Sequence, residues 1–92
     1  MKEKEIESYL VRKVKELGGT AYKFVSPGHD GVPDRLVCLP GGLVWFVELK
    51  ARGQKPRPLQ QAEIGRLCNL GFRVCVIDSI DGVDQLAHDF EM

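Results

Sequence analysis

GVPDRLVCLPGGLVWFVELKA, residues Gly31 to Ala51, sets two short apolar runs around a Pro40-Gly41-Gly42 turn. The runs Asp34 to Leu39 and Leu43 to Leu49 are rich in Val, Leu and aromatic residues, so each reads as a strand. The tight link makes them an antiparallel hairpin. The first run opens on an acid, Asp34, and the second closes on Glu48 followed by Leu49 and Lys50. In such a hairpin the start of one strand lies beside the end of its partner. Side chains alternate between faces, so Glu48 and Lys50 point one way and Leu49 the other. Asp34, Glu48 and Lys50 are therefore expected in one cluster at one end of the hairpin.

Around this hairpin the chain reads as αβββαβα. Lys4 to Leu17 is an amphipathic helix, with Ile6, Leu10, Val14 and Leu17 stacked on one side and Gly18-Gly19 as its stop. Thr20 to Val25 is the first strand, and SPGHDGVP, residues 26–33, is a loop. Pro58 suits the first turn of a second helix, Leu59 to Leu70, capped by Gly71. Phe72 to Ile77 is the fourth strand, and Asp81 to Phe90 a short last helix. The helix between strands three and four implies a crossover in a mixed four-stranded sheet. That helix is expected to cover one sheet face, with the first helix helping to cover the same face.

The 92 residues suffice for a single domain. A hydrophobic share of 43% and a charged share of 28% suit a globular, water-soluble chain. No apolar run approaches the ~20 residues that span a bilayer. Met1 to Glu7 is charged and has none of the apolar character of a signal peptide, so the expected location is the cytoplasm. The three cysteines, Cys38, Cys68 and Cys75, lack close metal-ligand spacing and read as buried, reduced thiols. The formal net charge is zero, which excludes a global pull toward nucleic acid. Locally, Lys50, Arg52, Lys55 and Arg57 form a basic stretch free of acids. It reads either as a solvated loop or as a phosphate-contacting one.

Two carboxylates held close repel, and the conflict is relieved by a proton or a cation. Oxygen-only ligands favour a hard divalent ion, Mg²⁺ or Mn²⁺, over zinc. Asp34 and Glu48 would be its ligands, with the Leu49 carbonyl between them as a further one. Such an ion activates a bound water and stabilises charge on a phosphate, and Lys50 would orient or deprotonate the attacking water or stabilise the phosphorane-like charge. The plainer alternative is a surface ion pair, contributing roughly 0–1 kcal/mol. Against it, LVWFV, residues 43–47, is apolar at both parities and so expected to be buried on both sides. A carboxylate and an ammonium directly after it incur a desolvation cost unless they serve each other or a metal.

Gly31-Val32-Pro33-Asp34, thirteen intervening residues, then Glu48-Leu49-Lys50 resembles the PD-(D/E)-x-K nuclease signature. With Pro58-Leu59-Gln60, the acid-bearing first helix and a helix ending in glycine before the last strand, the chain resembles a VRR-NUC domain over roughly residues 5–78. The resemblance implies a restriction-endonuclease-like α/β fold: an αβββαβ core and a short C-terminal helix. It implies that Asp34 and Glu48 hold metal, that Lys50 is the catalytic lysine, that Gln60 belongs to the catalytic set, and that Glu7 is an extra acid near the metal. Glu3 and Glu5 are rivals for that last place, and an exposed helix-start acid is the plainer reading of all three. Gln60 is alternatively a simple helix-start residue. His29, in the glycine-rich loop, reads as a phosphate or water contact or as a solvated histidine. Trp45, Tyr22 and Lys23 are further candidates for DNA contact, with Trp45 better suited to the core.

The resulting expectation is a Mg²⁺- or Mn²⁺-dependent endodeoxyribonuclease needing no organic cofactor and no membrane. Arg52, Lys55, Arg57 and His29 are its candidate DNA contacts. The resemblance to small phage or bacterial nucleases implies branched DNA, such as a four-way Holliday junction, and action inside a bacterial host. Symmetric cutting of two strands by so small a chain calls for a homodimer. Two other readings compete: a nuclease fold kept only for DNA binding or assembly, and a restriction-type enzyme that reads a duplex sequence. The intact Asp, Glu and Lys set argues against the first. The little chain left for base contacts argues against the second.

Overall fold

The computed structural model describes residues 1–91. Its elements are α1 (Glu3–Glu16), β1 (Thr20–Lys23), β2 (Arg35–Leu39), β3 (Leu43–Leu49), α2 (Pro58–Asn69), β4 (Arg73–Ile77) and α3 (Ile80–Glu91). The sheet runs in the order β1-β2-β3-β4. β2 pairs antiparallel with both neighbours, and β3 pairs parallel with β4. The α/β class, the hairpin and the mixed four-stranded sheet all follow the sequence reading, with element ends moved by one or two residues.

One face of the sheet carries the core. Val37, Leu39, Val47, Leu49 and Ile77 sit at alternate strand positions and pack with Ile6, Leu10 and Val14 of α1 and Val83 and Leu86 of α3. Trp45 packs against this cluster, as its apolar strand requires. α1 and α3 lie side by side, joined at the surface by a 2.6 Å hydrogen bond from the Tyr9 hydroxyl to Asp84.

α2 takes the opposite face. Its Gln60 bonds Glu48, which alternates with the core residues Val47 and Leu49 and so points away from them. This corrects the expectation that α1 and α2 share a face. The physical reason lies in α2 itself: the residues it buries are polar, Gln60 and Glu63. A helix with that inner face cannot seal an apolar sheet surface. Val44 and Phe46 consequently remain half-buried rather than enclosed. Phe46 instead meets Phe24 at a tilt and Phe72 edge-to-face, with ring centroids 5.6 Å apart in each pair.

α2 stops where Gly71 takes φ +94°. Its N–H then reaches Cys68 O, and that of Phe72 reaches Leu67 O, so the last carbonyls of the helix are satisfied as the chain turns into β4. The cysteine expectation holds only partly. Cys38 and Cys75 are half-buried, and Cys68 is exposed on α2. Burial and the charge of Asp89 push the Cys75 thiol up to about 12.

Candidate active site

The end of the hairpin collects the expected charges. Leu49 is the last residue of β3, and its N–H donates to Asp34 Oδ2 at 2.8 Å. Asp34 itself is anchored on the other side, where its carbonyl accepts from Phe24 N at 2.9 Å. The half-buried Asp34 carboxylate is thus tied to the backbone one residue beyond Glu48. The β4 ladder continues past Leu49 through a 3.0 Å bond from Lys50 N to Ile77 O. That bond keeps Lys50 in strand geometry, and its side chain returns to the Glu48 face.

Glu48 is only 1% exposed. Its Oε2 lies 3.3 Å from Lys50 Nζ and accepts from Gln60 Nε2 at 2.8 Å. Gln60 is oriented by its other end, since its Oε1 accepts from Arg57 N at 2.8 Å and so caps α2. With the oxygen committed to the cap, the amide NH₂ must face Glu48. Glu48 Oε1 is buried without a hydrogen-bond partner. Burial first, and then the Asp34 charge, raise the Glu48 pKa above the usual carboxylate range, with Lys50 pulling the other way.

A buried carboxylate oxygen left unpartnered beside a second carboxylate is the arrangement a hard cation completes. Among the described residues no three His, Cys, Asp or Glu side chains gather into a cage. The donors that could hold a cation here are the carboxylates of Asp34 and Glu48 and nearby backbone oxygen. Such a set would suit a hard divalent ion that keeps several of its waters.

Glu7 does not join the cluster, contrary to expectation. Its Oε2 accepts from Arg35 Nε at 3.0 Å, and Arg35 Nη1 also reaches Ala21 O at 3.0 Å. Arg35 has the strand parity of Val37, so it faces α1, whereas Glu48 faces α2. Of the α1 acids, Glu3 is the one whose charge bears on Glu48.

The chain is 57% identical over 81 residues to "Putative nuclease p44" of Acyrthosiphon pisum secondary endosymbiont phage 1, covering 88% of this chain and 87% of that protein. A solved VRR-NUC domain superimposes with a TM-score of 0.88 at 38% identity, covering 94% of each chain. The chain belongs to the VRR-NUC family. A second solved structure, a VRR-NUC domain protein, shares the fold at 20% identity with a TM-score of 0.70, over 96% of this chain and 86% of that one. No family model matches the chain.

Within this VRR-NUC chain, then, Asp34, Glu48, Leu49, Lys50 and Gln60 converge, and Glu7 and His29 go elsewhere. His29 Nε2 lies 2.7 Å from Glu63 Oε1, and Glu63 also faces Arg66 Nε at 3.5 Å. Glu63 belongs to no motif in the sequence, and its one signal is that it follows Gln60 by three residues and so shares its helix face. The two side chains pin α2 at successive points, one to Glu48 and the other to the loop leading into Asp34. Arg52, Lys55 and Arg57 are exposed and have no ion-pair partner among the described residues. Their loop is anchored beneath, through Arg52 N to Met1 O at 3.3 Å and Gly53 N to Asp78 Oδ2 at 3.1 Å.

Proposed function

We propose that this VRR-NUC chain is a Mg²⁺- or Mn²⁺-dependent endodeoxyribonuclease that cuts branched DNA as a homodimer, each copy acting as one catalytic domain. The observation that carries this reading is the unpartnered Oε1 of Glu48, buried beside Asp34 and flanked by Lys50. Asp34, Glu48 and the Leu49 carbonyl would hold the ion, with Glu3 the α1 acid whose charge bears on Glu48. When bound, the ion supplies an activated water and stabilises negative charge on the phosphate.

The remaining chemistry belongs to side chains of the chain. Lys50, 16% exposed, stands at the edge of the cluster. There it aligns the attacking water and stabilises charge gathering on the phosphoryl oxygens. Gln60 is a positioning residue: it holds Glu48 Oε2 and leaves Oε1 free. Asp34, fixed by the Leu49 N–H, keeps its second oxygen for the ion. Arg52, Lys55 and Arg57 would meet the DNA backbone beside the cluster, with His29 on the neighbouring loop.

Homodimer formation is supported by what α2 leaves open. β4 is an edge strand, and Phe72 and Val76 remain 49% and 42% exposed, with Leu70 at 67%. A two-fold pair burying such a surface would set two clusters on opposite strands of a junction. The relative's nuclease name and the phage that carries it fit a substrate met inside a bacterial cell.

The test is cleavage of a labelled four-way junction, a matched linear duplex and supercoiled plasmid, with Mg²⁺, Mn²⁺ or EDTA. Cutting of the junction in paired, symmetric positions, in metal only, is the expected result. Junction binding without cutting in any metal would assign the chain to DNA binding alone. Equal cutting of junction and duplex would remove branch selectivity.

A further inference from the structure

A groove of about 410 Å³ runs along the outer side of α1, and Lys4, Ser8, Arg12, Lys15 and Arg35 contribute its polar lining. A second groove of about 310 Å³ continues it past Val11 and Lys15 to the β1 residues Thr20 and Ala21. Helical spacing explains the row: positions 4, 8, 12 and 15 follow steps of four, four and three, so they stay on one side of the helix. The one acid of the larger groove, Glu7, is neutralised by Arg35 at 3.0 Å. The flanking acids Glu5 and Glu16 are turned to Lys2 N at 3.2 Å and to Lys13 Nζ at 4.0 Å. Lys4, Arg12 and Lys15 are exposed and have no ion-pair partner among the described residues. Arg12 is steadied over the Tyr9 ring, 5.1 Å from its centroid.

We infer that this groove is a second DNA-binding track, which takes the phosphate backbone of a duplex arm running away from the Asp34–Glu48–Lys50 cluster. The proposal rests on the nuclease reading and extends it along α1, whose N-terminal end adjoins the basic loop at Arg52 to Arg57 through the bond from Arg52 N to Met1 O. Arg35 follows Asp34 directly, so one end of the track lies where β2 leaves the cluster. From Lys4 to Lys15 the helix axis spans about 16 Å at ~1.5 Å per residue. That is about five base pairs at ~3.4 Å per step. No aromatic side chain lines either groove to stack unpaired bases, which favours duplex over single strand. Neutral overall, the protein gathers three free cations here, and that is the footprint of phosphate binding without base readout.

The experiment measures binding of a fluorescein-labelled 30-bp duplex and of a four-way junction by anisotropy in EDTA, with NaCl varied from about 50 to 200 mM. The variant is Lys4→Gln/Arg12→Gln/Lys15→Gln, with its fold checked by circular dichroism. Losing three phosphate contacts should flatten the slope of log K against log[salt] by about 2.7, or 0.9 per contact, and weaken binding at least about tenfold at low salt. Lys13→Gln removes a like charge from the other flank of α1 and should leave both unchanged. The inference is overturned if the triple variant keeps the wild-type slope and affinity while Arg52→Gln/Lys55→Gln/Arg57→Gln loses binding. In that case metal-dependent cutting by the wild type would still sustain the nuclease reading. Wild-type protein that binds neither DNA and cuts neither would overturn both.

Discussion

Replacing Glu48 by Gln keeps the shape of the most buried charged side chain and removes its charge. The amide oxygen can still accept from Gln60 and Lys50, and the NH₂ takes the place of the unpartnered Oε1. What is lost is an attraction to Lys50 at 3.3 Å, about 5 kcal/mol gross at an effective dielectric constant of ~20. What is relieved is the desolvation of a carboxylate only 1% exposed, several kcal/mol by itself, and its repulsion by Asp34. The raised pKa of Glu48 says that the second group of effects is larger. The metal-free variant should therefore be more stable than wild type at pH 8, with each 1 kcal/mol of that gain raising Tm by roughly 4–8 °C for a domain of this length.

The dependence on pH has a definite sign. A carboxyl whose folded pKa is raised binds its proton more tightly in the folded state. Below the usual carboxylate range both states are protonated, and the gap between variant and wild type closes. As pH rises through that range and past the raised value, wild type loses stability and the gap opens. Divalent ion reverses the order. At about 100 times its Kd, Mg²⁺ should add ~2.7 kcal/mol to wild type and little to the variant. Thermal unfolding by circular dichroism from pH 3 to 8, with EDTA or Mg²⁺, measures all of this. A metal-free variant less stable than wild type at pH 8, or a gap independent of pH, would refute the reasoning.

Four further outcomes are expected. Lys50→Ala should reduce single-turnover cleavage at least about 100-fold while metal and DNA remain bound, as calorimetry and anisotropy can check. Gln60→Ala should lower activity about 10- to 100-fold by weakening apparent metal affinity rather than DNA affinity, which a metal titration of the cleavage rate separates. Gly31→Ala should lose more than about 2 kcal/mol in urea unfolding, because a left-handed backbone at φ +90° is joined by a Cβ only 2.8 Å from Leu59 O. Gly28→Ala, at φ +75° with nothing within 4 Å of its Cβ, should lose less than that.

The hairpin and its charges were legible because their information is local. A three-residue turn fixes the pairing Leu39↔Leu43, and strand alternation then carries Asp34, Glu48 and Lys50 to one end. α1 was legible for the same reason, since Ile6, Leu10 and Val14 recur at helical steps and are the residues it buries. The partner of Glu7 was not, because it depends on where α1 crosses the sheet. Arg35 sits beside the signature acid yet points to the other face. The side taken by α2 was hidden by its composition. Its buried face is Gln60 and Glu63, which no hydrophobic period reveals, while Leu59 and Leu70 stay exposed. Cys68 follows from that same choice of face.

The most direct measurement is an anomalous difference map from crystals soaked in MnCl₂. A peak bridged by Asp34 and Glu48 Oε1, within about 2.3 Å of an oxygen from each, is the predicted result. Density for Mn²⁺ elsewhere, or none at a concentration that supports cleavage, would contradict the shared-ion site.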